Sequence, residues 1–220
     1  MKKPLFSLFV IIQVLLLPSH AYANLITNGD FESGAIGFTS EYAYSPADIW
    51  PEGTYAIVTD PYDLHALAHS FNDHTSGSGH MFAVNGSSVP GTIVWEETVS
   101  VIPNTTYDFA AYLATWQSTM YTIVPAELVF SINSSLLGDL TANTTPGVWD
   151  LFFTTWDSGS ATSATIAIVD MNVSVGGNDF ALDDMYFGAP IYSVPAPSIV
   201  SLLLMGVVPL AAGRIRQRNY

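Results

Sequence analysis

The chain has 220 residues without a single cysteine, 49% of them hydrophobic, and carries a formal net charge of −14. Its five Lys and Arg lie near the two ends, while all 19 Asp and Glu lie between them. The middle of the chain therefore repels nucleic acid and phosphorylated ligands. It also lacks the cations that Schiff-base chemistry and bidentate capture of carboxylates require. Neutral or cationic ligands are the classes that remain.

The N-terminus has the three parts of a secretory signal peptide. Lys2 and Lys3 precede a mostly apolar stretch over residues 5–17, and small residues close the segment. The pattern predicts a signal helix that is cleaved between Ala23 and Asn24. The alternative is an anchor left in place, but about 13 apolar residues are too few to span a bilayer.

Residues 24–193 have the length of one domain with a substantial core. No stretch keeps a 3.6-residue apolar period over three turns. Short runs rich in β-branched and aromatic residues instead alternate with turns such as Asn85-Gly86 and Gly176-Gly177. This pattern predicts an all-β, antiparallel sandwich. The predicted strands cover 94–101, 106–115, 127–132, 148–156, 163–169 and 180–187.

Three aromatic residues next to loops are the predicted ligand-binding residues: Trp50, Tyr55 and Trp116. Sugar rings present flat C–H surfaces that stack on aromatic rings, while polar side chains bond their hydroxyl groups, as small-ligand sites generally require. Trp95 and Trp149 lie in alternating strands, and we expect them to fill the core.

The segment from 60 to 79 is too long for a hairpin, and long ordered loops are often binding elements. Four of the five histidines lie between His65 and His80. His65 and His69 have the spacing of a zinc-protease helix, but the Glu that should follow the first His is missing. A metal site is one interpretation; the favoured one is a polar surface loop whose His and Asp bond to the backbone.

Carboxylates without an internal cation need a partner wherever they are buried. Asp30 and Glu32 near the first strand would meet Asp183 and Asp184 on the last if the ends of the domain lie close together. Hard oxygen ligands favour calcium. We expect Ca²⁺ at this junction, the alternative being a set of carboxylates that face water.

The two edges of the middle region carry a family resemblance. Residues 24–32 read Asn-Leu-Ile-Thr-Asn-Gly-Asp-Phe-Glu, and residues 180–187 read Phe-Ala-Leu-Asp-Asp-Met-Tyr-Phe. Both segments resemble the edges of carbohydrate-binding-module jelly rolls of the galactose-binding-like superfamily. The resemblance implies a jelly-roll fold and a structural calcium at the junction, held by Glu32 and one or both of Asp183 and Asp184.

The C-terminal segment, 194–220, places a Pro-Ala-Pro element before an uncharged run over 198–213. An apolar run that ends in cations should halt in the inner membrane with its Arg residues on the cytoplasmic side. We expect a short helix that anchors only marginally, since the run is shorter than the roughly 20 residues of a full span. The residues that define the segment are Pro195, Pro197, Arg214, Arg216 and Arg218.

This three-part tail resembles the PEP-CTERM sorting signal of Gram-negative bacteria, which an exosortase-type protease processes. It departs from that signal by having Ala196 where Glu is usual. A plain membrane anchor is the alternative. If both ends are removed, the product has 19 carboxylates and no Lys or Arg, hence a formal charge of −19 before histidines.

Sequence motifs for catalysis are absent, since the chain has no Gly-x-Ser-x-Gly elbow and no phosphate loop. Glu96 and Glu97 are adjacent in a strand and point to opposite faces, so they cannot flank one glycosidic bond. We predict an exported, non-catalytic surface or matrix protein that binds neutral polysaccharide in a biofilm setting. Its other partners are signal peptidase, the processing protease and, transiently, the inner membrane. The alternatives are a calcium-stabilised matrix protein without sugar binding and a glycoside hydrolase.

Overall fold

A computed structural model describes residues 23–117, 120, 122, 124–174 and 176–190. The predicted signal helix and the predicted sorting segment, with its prolines and arginines, lie outside the described residues. Within the described part of the chain, no helix is long and apolar enough to cross a membrane.

The described residues form ten strands in two sheets, which confirms the predicted all-β sandwich. One sheet has the order β1-β2-β3-β10-β5-β8 and the other β4-β9-β6-β7. Neighbouring strands are antiparallel, except that β1 and β2 are parallel. A 3-10 turn covers Pro61–Asp63. The strands are β1 Ala43–Tyr44, β2 Thr54–Val58, β3 Met81–Asn85, β4 Ile93–Ser100, β5 Thr106–Thr115, β6 Glu127–Ile132, β7 Ser135–Thr141, β8 Asp150–Asp157, β9 Ser163–Asp170 and β10 Phe180–Gly188.

The main core lies between the two sheets and is rich in aromatic rings. Phe130 of β6 and Phe152 of β8 stack nearly parallel with their ring centroids 4.0 Å apart, which joins the two sheets. Trp95 of β4 is 1% exposed. The prediction that Trp95 fills the core is therefore confirmed, because its side of the strand faces the opposite sheet.

A second, smaller core covers part of the outer face of the six-stranded sheet. Strands β2, β3 and β10 present small side chains there, including Ala56, Ala83 and Ala181, and the chain from 49 to 71 packs onto them. Small residues let this loop approach the sheet closely. The central strands are consequently buried on both faces, whereas the β5–β8 end of the sheet keeps part of its outer face exposed.

Candidate functional site

The two ends of the domain meet as predicted. The Leu25 amide donates to the Phe187 carbonyl at 2.7 Å, and the Met185 amide donates to the Gly29 carbonyl at 2.9 Å. The Asn24 side chain adds two more bonds to β10. Its Nδ2 donates to the Met185 carbonyl, and its Oδ1 accepts from the Phe187 amide. The first residues after the predicted cleavage site therefore lie hydrogen-bonded beside β10.

The close approach of the chain at position 29 to Met185 of β10 requires a glycine at that position. A Cβ atom at this position would lie 2.1 Å from the carbonyl oxygen of Met185. We expect Gly29→Ala to lower the free energy of unfolding by about 3 kcal/mol, as strongly overpacked positions do. Gly77→Ala is the control, since nothing lies within 4 Å of its Cβ and only its φ of +75° opposes the substitution; it should cost about 1–2 kcal/mol. Urea unfolding of both variants measures the difference, and equal losses would contradict the steric argument.

The four predicted calcium ligands lie at this junction, but they bond to different partners. Glu32 accepts from the His80 amide at 2.9 Å and lies 3.3 Å from His80 Nδ1. Asp183 is fully buried and accepts from the amides of His74 and Thr75. Burial raises the pKa of Asp183 to about 6, although these amide donors oppose the shift.

The other two carboxylates complete the junction. Asp184 lies 2.5 Å from His74 Nδ1 and 2.8 Å from the Thr75 hydroxyl. Asp30 lines the same shallow pocket as Asp184 and accepts from the Glu32 amide. In the described part of the chain, no three His, Asp or Glu side chains are arranged to hold a metal ion. The predicted ligands thus share one junction, where donors from 74–80 bond to Glu32, Asp183 and Asp184, and calcium at this junction stays a prediction.

The segment from 60 to 79 is a well-packed loop in which Asp side chains bond to the backbone, as expected. Asp73 accepts from the amides of Ser76 and Gly79. Burial raises the pKa of Asp73, but these amide donors outweigh it and the net shift is downward. His65 differs from the prediction of a polar surface, because it is 6% exposed and its ring lies 3.9 Å from that of Trp50.

The structure separates the three predicted sugar-binding residues. Trp116 is fully buried in the second core, where its indole nitrogen donates to the Val84 carbonyl at 3.0 Å. Tyr55 is 8% exposed and stacks on Phe82 in the main core. Neither ring offers an open face, so both are removed from the predicted set, while Trp50 remains 49% exposed.

An apolar surface on the outer face of β5, β8 and β10 was not predicted. The register pairs Ala110 with both Phe153 and Tyr186, and Tyr112 with Leu151, which places their side chains on one face. Leu151 is 48% and Phe153 42% exposed. We call these five residues the outer strip.

The outer strip ends where the loop begins. The His74 ring covers Tyr112 with a centroid distance of 3.6 Å, and Trp149 lies beside His74. Trp149 is partly buried against the second core, so the prediction that it fills the core is met only in part. The sequence signal for the strip is the run Leu151-Phe152-Phe153: a strand with one face in the core should alternate, and this one is apolar on both faces.

No family model and no curated protein matches the chain. Solved structures match it in fold. A Stig cyclase from Fischerella sp. TAU has a TM-score of 0.53 at 9% identity, over 76% of this chain and 98% of that one. An arabinose-bound α-L-arabinofuranosidase has a TM-score of 0.50 at 12% identity, over 76% of this chain but only 26% of that one. A xylan-binding domain from Paenibacillus barcinonensis has a TM-score of 0.46 at 11% identity, over 73% of this chain and 90% of that one. At these identities the similarity is one of fold.

Proposed function

We propose that this is an exported, non-catalytic protein that binds neutral polysaccharide through the outer strip. The observation that carries the proposal is the pair of exposed apolar side chains Leu151 and Phe153, which continue on one sheet face into partly exposed Tyr112 and Tyr186, in a domain without Lys or Arg. Scattered apolar residues are normal on a surface, but a contiguous row indicates a binding site. Leu151 and Phe153 are adjacent on one face of β8 and continue across β5 to Tyr186.

The chemistry around the strip suits sugars. The flat ring of Phe153 can stack on the C–H face of a pyranose, and Asp157, on the same face at the end of β8, can accept bonds from hydroxyl groups. Anionic polymers would be repelled by the same carboxylate. An open strip on the surface suits a polymer better than a small molecule. A small molecule would be expected in a closed pocket that surrounds it.

The cellular setting is proposed from the ends of the sequence. The N-terminal segment would direct export, and the PEP-CTERM-like tail would hold the chain briefly in the inner membrane of a Gram-negative bacterium until an exosortase-type protease releases it. The released domain would then bind exopolysaccharide at the cell surface or in the biofilm matrix.

An array of neutral and anionic polysaccharides tests the binding function. We expect the wild type to bind neutral members and Leu151→Ala/Phe153→Ala to weaken that binding at least about tenfold, a loss of roughly 1.4 kcal/mol. Trp50→Ala is the matched control, since it removes an exposed ring elsewhere and should leave the affinity unchanged. Loss of binding in Trp50→Ala alone would place the site at Trp50, and no binding by the wild type would favour the structural matrix protein.

A further inference from the structure

The chain leaves the last strand on the side of the outer strip. Tyr186 belongs to that strip, and its hydroxyl donates to the Ala189 carbonyl at 2.7 Å. The phenol also lies over Gly188, where a Cβ would come within 2.6 Å of the Tyr186 oxygen. Ala189 and Pro190 are themselves half-buried. The residues that follow Pro190 therefore start beside the apolar side chains of the strip.

The sequence after Pro190 has the composition of a segment that packs on such a surface. Residues 191–197, which lie outside the described part of the chain, read Ile-Tyr-Ser-Val-Pro-Ala-Pro and carry no charge. Their two prolines favour an extended polyproline conformation, which is ordered before it binds. Pro-rich segments dock on surfaces lined by aromatic rings. The outer strip offers three such rings, those of Tyr112, Phe153 and Tyr186.

The segment is long enough to cover the strip. Thr155 is level with Gly188, because both pair with Asp108, and the strip extends from there along β8 to Leu151. Four residues of a strand cover about 14 Å, whereas seven residues in a polyproline conformation cover about 22 Å. A tether this short also gives the segment an effective concentration in the millimolar range, so weak contacts are enough to hold it.

Charge favours this segment over a second copy of the chain as the occupant of the strip. All 19 Asp and Glu lie among the described residues, and all five Lys and Arg lie outside them. Two such domains repel each other when their faces approach. An uncharged segment of the same chain meets no such barrier.

We propose that residues 191–197 of the uncleaved chain lie on the outer strip and cover Leu151 and Phe153. The contact removes an apolar surface from water until the segment is displaced. Its consequence rests on the proposed function, because a polysaccharide that binds the strip first has to displace the segment. The uncleaved chain therefore binds polysaccharide more weakly than a chain whose segment cannot dock.

Disulfide trapping in the full-length chain tests the contact, and the absence of native cysteines makes it specific. Thr155→Cys places a thiol beside the strip without altering its five residues, and Ser193→Cys places one in the segment. We expect mild oxidation to link the two within one chain, with a yield at least about fivefold above that of the control pair Thr98→Cys/Ser193→Cys. Thr98 is exposed like Thr155 but lies on the other sheet.

Adding Tyr192→Asp to the Thr155→Cys/Ser193→Cys pair should return the yield to the control level, because the acidic domain repels the new charge. Tyr192 follows the last strand, so its replacement leaves the described domain unchanged. A yield no higher than that of the Thr98 control would overturn the proposal. A link that joins two chains instead of one would also overturn it, since a second copy would then occupy the strip.

Polysaccharide affinity separates this proposal from the proposed function. With a neutral polymer, the full-length chain should bind at least about threefold more weakly than its Tyr192→Asp variant. Equal affinities beside a trapped contact would overturn the competition between segment and polymer. If the link forms but neither protein binds any polymer, the proposed function fails and the docked segment stands.

Discussion

Replacing Trp116 with Ala should lower the free energy of unfolding by about 3–5 kcal/mol, the range found when a large buried aromatic side chain is removed. Trp116 is fully buried against the small residues of β2, β3 and β10, so its loss leaves a cavity that the strands cannot close. The Val84 carbonyl also loses its donor. Urea unfolding followed by circular dichroism measures the change.

Trp50→Ala is the control for this measurement, because the two tryptophans lie beside the same histidine. The His65 ring is 3.9 Å from Trp50 and 5.0 Å from Trp116, centroid to centroid, yet only Trp50 is exposed. We expect Trp50→Ala to cost less than about 1 kcal/mol, as surface substitutions usually do. Similar losses in the two variants would show that Trp116 does not fill the second core as the structure indicates.

The tryptophans show which buried positions could be predicted from the sequence and which could not. Alternation within a strand shows that a residue such as Trp95 faces a core, because period-two patterns are local. Trp116 follows β5 directly and looks like a loop residue; it is buried because the distant chain from 49 to 71 folds back over the sheet. Contacts of that kind depend on tertiary structure, which no local pattern carries.

The charged residues show the same limit: some of their contacts could be predicted from the sequence and others could not. The meeting of segments 24–32 and 180–187 could be predicted, since domain ends often lie close together. The bonds from 74–80 to Glu32, Asp183 and Asp184 could not be, because they depend on the path of a long loop. Asp170 and Asp179 are likewise unremarkable in the sequence, since their burial at the end of β9 and just before β10 depends on how the two sheets come together.

The stability of the protein should fall as the pH rises from about 4 to about 7. The carboxyls of Asp170 and Asp179 have pKa values of about 7 in the folded state, raised from the ordinary 3.8 by burial. In this window the folded protein holds protons that the unfolded chain has lost, so the free energy of unfolding decreases with pH. The effect is complete once the pH exceeds the folded-state pKa.

A carboxyl pKa raised from 3.8 to about 7 corresponds to roughly 4 kcal/mol, and the second carboxyl adds less because Asp170 itself raises the pKa of Asp179. Urea unfolding at pH 5, 6, 7 and 8 measures the fall in stability. Asp179→Asn should flatten the dependence because its side chain is neutral throughout, whereas Asp139→Asn changes an exposed carboxyl of β7 and should leave the slope unchanged. Stability that rises with pH over this range would contradict the burial of these two carboxyls.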